Sequence, residues 1–225
     1  MPHTPVTLLT GFLGAGKTTL LARWLEHPAF RDTAVIVNEF GEVALDHLII
    51  ADLAPQVVEL RNGCLCCTIR GDLALSLRRL HEQRALGAIP RLARVVVETS
   101  GLAAPIPLVH TLINDLPLAR AFRLNSLICV VDALHGAATL AAHATARDQL
   151  ALADVVIMSK TDSATAAQVD TMRAVIASYN CNARVIARAE HAGAPARQAH
   201  VPSRAHGGGH CGMACCAAIS CQPCS

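Results

Sequence analysis

Residues 6–20 read VTLLTGFLGAGKTTL, an apolar run passing directly into a glycine-rich loop and then into LLARWLEH. The loop has the spacing G-x-x-x-x-G-K-[ST], set between a short strand and a helix. Each residue type has a physical reason. Gly11, Gly14 and Gly16 let the backbone turn tightly and bring its N–H groups against phosphate oxygens. Lys17 supplies a point charge for the outer phosphates, and the Thr18 hydroxyl is placed to ligate Mg²⁺. A helix starting near Lys17 adds the positive end of its dipole. The loop therefore predicts a nucleoside triphosphate site.

Composition narrows the setting. The chain has 225 residues, 52% of them hydrophobic, enough to bury the core of one domain with an appendage. A net charge of +2 with only 3% aromatic residues offers neither a basic stripe nor a stacking platform, which argues against nucleic acid. No apolar run approaches membrane-spanning length, and the N-terminus lacks a charged-then-apolar leader pattern, so neither a membrane nor export is expected. The chain reads as cytoplasmic, and its ten cysteines as thiols or metal ligands rather than disulfides.

Apolar runs alternate with helical patterns, the signature of a parallel α/β sheet. Strands are expected over 6–10, 34–37, 57–60, 94–98, 127–132, 155–158 and 184–187, and helices over 18–26, 69–86, 107–115, 145–151 and 163–179. The expected fold is a three-layer α/β P-loop NTPase with a mostly parallel central sheet. In such a sheet the ligand sits beyond the carboxyl ends of the strands, where each motif below falls. Past residue 190 the composition changes: 191–225 has no Asp or Glu and is dominated by Ala, Gly, His, Cys and Pro. The expected division is a nucleotide-binding domain over 1–190 and a disordered Cys/His-rich tail over 191–225.

RVVVETSG (94–101) is an apolar strand ending in an acid, with a glycine soon after. Glu98 is the candidate carboxylate on the Mg²⁺ side, and Gly101 would let a backbone N–H approach the γ-phosphate. VVIMSKTD (155–162) ends a second such strand in Ser-Lys-x-Asp. The Asp162 carboxylate can accept both guanine N1–H and N2–H, which adenine cannot offer, and the Lys160 stem can lie along the base. Ser159 stands where many GTPases have Asn. GCLCC (63–67) places Cys64, Cys66 and Cys67 within four positions, too close to pair readily with one another in ordinary disulfide geometry. Three thiols on one loop suit a soft or borderline cation such as Zn²⁺. In VNEFGEVALD (37–46), Glu39, Glu42 and Asp46 could serve Mg²⁺, the thiolate site, or solvation alone.

In this order, GFLGAGKTTL, NEFGEVALD, GCLCC, ETSGLA and SKTD resemble the CobW-like family of P-loop GTPases, relatives of the hydrogenase and urease nickel-insertion GTPases. The resemblance runs from about Thr4 to about Ile186. It implies a GTP-hydrolysing metallochaperone that couples nucleotide state to the holding and release of a divalent metal, Zn²⁺ or Co²⁺, for an unidentified client metalloprotein. By position, Gly11 to Thr19 (Ala15 and Thr19 included) match the nucleotide loop. Glu98 matches the second Mg²⁺ motif, Lys160 and Asp162 the guanine motif, and Cys64, Cys66 and Cys67 the metal motif. GTP, GDP and the metal are the implied ligands, and a homodimer is left open.

Two rival readings stand beside this one: an ATP-dependent P-loop kinase with structural cysteines, and a metal buffer with a vestigial nucleotide site. Members of the family usually carry a second C-terminal α/β domain, which 191–225 does not resemble. That segment reads either as a soft-ligand tail, through His206, His210, Cys211, Cys215, Cys216, Cys221 and Cys224, or as unselected sequence.

Overall fold

A computed structural model of the chain describes residues 3–38, 57–59, 68–89 and 92–187. The strands are β1 (Thr4–Thr10), β2 (Thr33–Asn38), β3 (Val57–Glu59), β4 (Arg94–Thr99), β5 (Phe122–Asp132), β6 (Val155–Ser159) and β7 (Arg184–Ala187). They form one sheet in the order β3-β2-β4-β1-β5-β6-β7. Every pairing in it is parallel, where the sequence suggested a mostly parallel sheet. The helices are α1 (Lys17–Glu26), α2 (Thr68–Ala85), α3 (Ile106–Asn114), α4 (Leu116–Ala121), α5 (Gly136–Ala142), α6 (Ala144–Ala151) and α7 (Ala166–Tyr179). None of the described helices is long and apolar enough to cross a membrane.

Strand alternation divides the core in two. Val35, Val37, Val96, Ile128 and Val130 face one side, where Leu20 and Leu21 of α1 cover them. Ile36, Val95, Val97, Cys129 and Val131 face the other, against leucines of α2 to α6 and Met172 and Ile176 of α7. Both sheet faces are therefore covered, which is why β4 and β6 read as nearly unbroken apolar runs. A fully buried leucine such as Leu8, Leu77 or Leu150 contributes roughly 1.5–3 kcal/mol over leaving it in water.

Two element starts and two short helices differ most from the sequence expectation. β5 begins at Phe122 rather than 127, because Thr4 to Val6 of β1 pair with Phe122 to Leu124 before the register slips. The slip leaves Asn125 as an extra residue on β5, a bulge that breaks the apolar pattern there. α7 begins at Ala166 rather than 163, because Thr165 caps it and closes a reciprocal capping box with Gln168. The short helices α4 and α5 were not expected from periodicity. α4 is started by the Asp115 carboxylate, which accepts from the Leu118 N–H.

Because all the strands run one way, their carboxyl ends share one edge of the sheet. Thr10, Glu98–Thr99, Asp132 and Ser159 meet there, and the phosphate loop leaves β1 at its middle.

Candidate nucleotide site

The loop joining β1 to α1 is held by close backbone packing. Gly11 has φ +139°, and a Cβ on it would lie 2.4 Å from the Val130 carbonyl oxygen of β5. No side chain fits there without moving the strand. Gly14 and Gly16 are also in positive φ, and Gly16 caps α1. The Ala15 N–H donates to the Phe12 carbonyl at 3.2 Å, closing the loop on itself. Gly11→Ala should cost on the order of 3 kcal/mol, from steric overlap and unfavourable φ together. For a chain of this size that lowers the melting temperature by about 6–12 °C. Calorimetry of the variant checks this, and a melt matching the unaltered protein would show that the loop is not held this way.

Lys17 is buried at the start of α1, and its Nζ donates to the Phe12 carbonyl at 3.4 Å. The Thr18 Oγ1 donates to Glu98 Oε1 at 2.6 Å, joining two motifs 80 residues apart. Glu98 is wholly buried at the end of β4. A hydroxyl and a carboxylate oxygen brought together beside a phosphate loop are hard donors of the kind that suits Mg²⁺. Gly101 lies against the loop as well: a Cβ on it would be 2.6 Å from the Leu13 nitrogen.

The SKTD segment meets the same loop from the other side. Ser159 is buried, and its Oγ donates to the Ala15 carbonyl at 2.6 Å. The serine thus ties the end of β6 to the phosphate loop. Lys160 adopts a left-handed backbone, and its ammonium pairs with Asp132 Oδ2 at 2.6 Å. Asp162 is exposed two residues on, beyond the strand end. Asp132 was not singled out from sequence, although its signal, an acid ending an apolar strand, is the one that marks Glu98. Its other oxygen accepts from the N–H groups of Leu134 and His135 at 2.7 and 3.2 Å. Burial pushes this carboxyl up, but the Lys160 hydrogen bond, the two backbone donors and the Lys160 charge outweigh it and hold it below the ordinary carboxylate value.

A pocket of about 260 Å³ opens behind the loop, between Phe12, Leu13, Asp132, His135 and Gln149. The Cys129 thiol lines it, pushed up to about 12 by burial against a smaller opposing pull from the Lys17 charge, so it stays protonated. Phe12 stacks on His143 at 4.4 Å between ring centroids. Sequence reading gave no sign of that contact, since nothing local marks it.

The structure brings together Gly11, Gly14, Ala15, Gly16, Lys17, Thr18, Glu98, Gly101 and Lys160, with Thr19 following in the first turn of α1. Glu39, Glu42, Cys64, Cys66 and Cys67 lie outside the described residues, as does 191–225. Among the described residues no cluster of three His, Cys, Asp or Glu side chains could hold a metal ion.

Comparison with known proteins bears on the family and the fold. Residues 5–187 match the family model described as the CobW/HypB/UreG nucleotide-binding domain. The chain is 41% identical to the zinc chaperone YjiA of Escherichia coli over 71% of this chain and 50% of that one. It is 38% identical to the zinc chaperone CobW of Pseudomonas aeruginosa over 77% of this chain and 53% of that one. The chain spans about half the length of these curated relatives. The crystal structure of the Zn(II)-bound YjiA GTPase from E. coli superposes with a TM-score of 0.63 at 29% identity, covering 83% of this chain and 57% of that one. With the phosphate loop, the buried Glu98 and the Ser159 tether at one sheet edge, and a family match running almost from end to end of the described residues, the chain belongs to the CobW/HypB/UreG family through its nucleotide-binding domain.

Proposed function

We propose that this chain is a GTP-hydrolysing metallochaperone domain that couples its nucleotide state to the binding and delivery of Zn²⁺. The observation that carries the reading is the 2.6 Å contact between Thr18 Oγ1 and Glu98 Oε1. It places a hydroxyl beside a buried carboxylate next to the Lys17 loop, as hydrolysis of a nucleoside triphosphate requires. The reaction is GTP and water to GDP and phosphate. Lys17 and the loop N–H groups stabilise charge on the outer phosphate oxygens, and the Gly101 N–H faces the γ-phosphate. Thr18 and Glu98 would hold Mg²⁺, which would supply positive charge to neutralise the negative charge developing on the outer phosphate. Asp162 reads the guanine edge and the Lys160 stem lies along the base.

The metal cargo is assigned to Cys64, Cys66 and Cys67, with Glu39 and Glu42 as further donors. Zn²⁺ is favoured over Co²⁺ because thiolates suit it and because the two relatives are named zinc chaperones. Thiols so closely spaced remain available as ligands in a reducing compartment, the cytosol. A client metalloprotein would receive the metal.

Calorimetry with GTP and ATP tests the nucleotide assignment. GTP should bind at least about tenfold more tightly, the equivalent of one charge-assisted hydrogen-bonding pair. Asp162→Asn should erase most of that difference. Equal affinities in the unaltered protein would sink the guanine reading. Preference for ATP with phosphate transfer to a small acceptor would point to a kinase instead.

A further inference from the structure

We propose that Gln149 is a positioning residue that fixes the two phosphate-facing loops against each other, and so governs how well the protein distinguishes GTP from GDP. The proposal rests on the reading of the phosphate loop as a GTP site. Gln149 sits on α6 and is wholly buried. Its Nε2 donates to the Gly101 carbonyl at 3.1 Å and to the Ala103 carbonyl at 3.0 Å. Two carbonyl acceptors can be served only by the amide nitrogen, which has two N–H groups, so the orientation of the side chain is settled by its partners.

The segment it holds is the one that follows Glu98. The Ala103 N–H donates to the Ser100 carbonyl at 3.0 Å, so the segment is a closed turn with the Gly101 and Ala103 carbonyls clamped to α6. The first residue of the clamped pair, Gly101, is the one whose Cα packs against the Leu13 backbone. The same helix grips the phosphate loop independently. His143, which caps α6, stacks on Phe12, and the Phe12 carbonyl accepts from Lys17 Nζ and from the Ala15 N–H. One helix therefore braces both loops, and the position of the Gly101 N–H relative to Lys17 is set before any nucleotide arrives. A donor held in place in advance stabilises charge without reorganising. The γ-phosphate is the group that GTP has and GDP lacks, so the benefit falls on GTP alone.

The carboxamide is not needed to fill space. Its Oε1 is buried without a hydrogen-bond partner among the described residues. A thioether of similar length fills the same space and removes that unsatisfied acceptor, while leaving the Gly101 and Ala103 carbonyls without their donor. Gln149→Met is therefore expected to fold, with a lower melting temperature than the unaltered protein.

The test measures GTP and GDP affinity and steady-state hydrolysis for the unaltered full chain and Gln149→Met. GTP affinity and kcat/KM should fall about tenfold, the loss of one well-placed interaction, while GDP affinity stays unchanged. Equal losses for GTP and GDP, or none for either, would reduce Gln149 to a packing residue and overturn the assignment. A second measurement covers a variant that fails to fold. In the unaltered protein with GTP bound, the Gln149 carboxamide protons should resist solvent exchange by NMR, and rapid exchange would overturn the proposal. If the unaltered protein binds no GTP, the nucleotide reading and this assignment fall together. If it does bind GTP and the ratio to GDP is unmoved in the variant, only this assignment falls.

Discussion

Replacing Cys66 and Cys67 together by alanine is expected to abolish stoichiometric high-affinity Zn²⁺ binding and to leave GTP affinity largely intact. The reason is chemical. Three thiolates supply most of a tetrahedral Zn²⁺ shell, whereas Cys64 with the proposed Glu39 and Glu42 donors keeps a single thiolate, too few soft ligands for high affinity. No described cluster can substitute for them, and Cys129, the buried thiol near the loop, is held protonated. The measurement is a competition titration against a chelator with known Zn²⁺ affinity. It is run in a background where Cys211, Cys215, Cys216, Cys221 and Cys224 are serine, so that the tail contributes no thiolate. The same titration reads coupling. GTP and its Mg²⁺ order switch segments in GTPases, and the cysteine motif follows in sequence a strand, β3, that runs parallel to the others in the sheet. GTP should then tighten Zn²⁺ by about 5–150-fold, and linkage requires Zn²⁺ to tighten GTP by the same factor. Identical Zn²⁺ affinity with GTP, GDP and no nucleotide would rule out the chaperone mechanism and leave a GTPase with a cysteine-rich loop.

The second large effect is expected at Glu98. Glu98→Gln keeps an acceptor for the Thr18 hydroxyl at the same place, so the 2.6 Å link survives and the fold should hold. What it removes is the buried carboxylate proposed to serve Mg²⁺. GTP hydrolysis should fall by about 10²–10³-fold, the scale for losing one preorganised electrostatic contact. GTP affinity measured with Mg²⁺ should drop more than affinity measured without it. Hydrolysis at the unaltered rate would mean that Glu98 is a structural partner of Thr18 and that the metal is held by other groups. No arginine is placed at the site among the described contacts, so even the unaltered protein should turn over well below the roughly 1–100 s⁻¹ of kinases.

How far the site was legible depends on how local its signals are. The phosphate loop is a run of adjacent residues whose backbone must turn and whose helix must begin at one place, so Gly11 to Thr19 could be read directly. Glu98 and the SKTD segment were legible for a similar reason. Each ends an apolar run long enough to be a buried strand, and parallel strands place such ends on one edge. Ser159 was legible as a position but not as a role. Sequence set it down as a change from Asn, whereas the fold uses its hydroxyl to tie β6 to the Ala15 carbonyl. α5 escaped notice because its first residue, Gly136, reads as a breaker. The glycine is there for another reason: a Cβ would lie 2.7 Å from Val131 Cγ1 and 3.0 Å from Met172 Sδ.

The sequence by itself determined the parallel α/β class, the glycine turn that follows β1, and the acids and hydroxyls that end buried strands. Hydrophobic periodicity and glycine spacing are properties of neighbouring residues, and neighbours suffice to specify them. Only the tertiary structure decided which distant groups meet. The strand order put Glu98 on Thr18, Asp132 on Lys160, and α6 across both loops through His143 and Gln149. Those contacts join residues 28 to 131 positions apart, brought together by crossover connections whose packing no local pattern encodes.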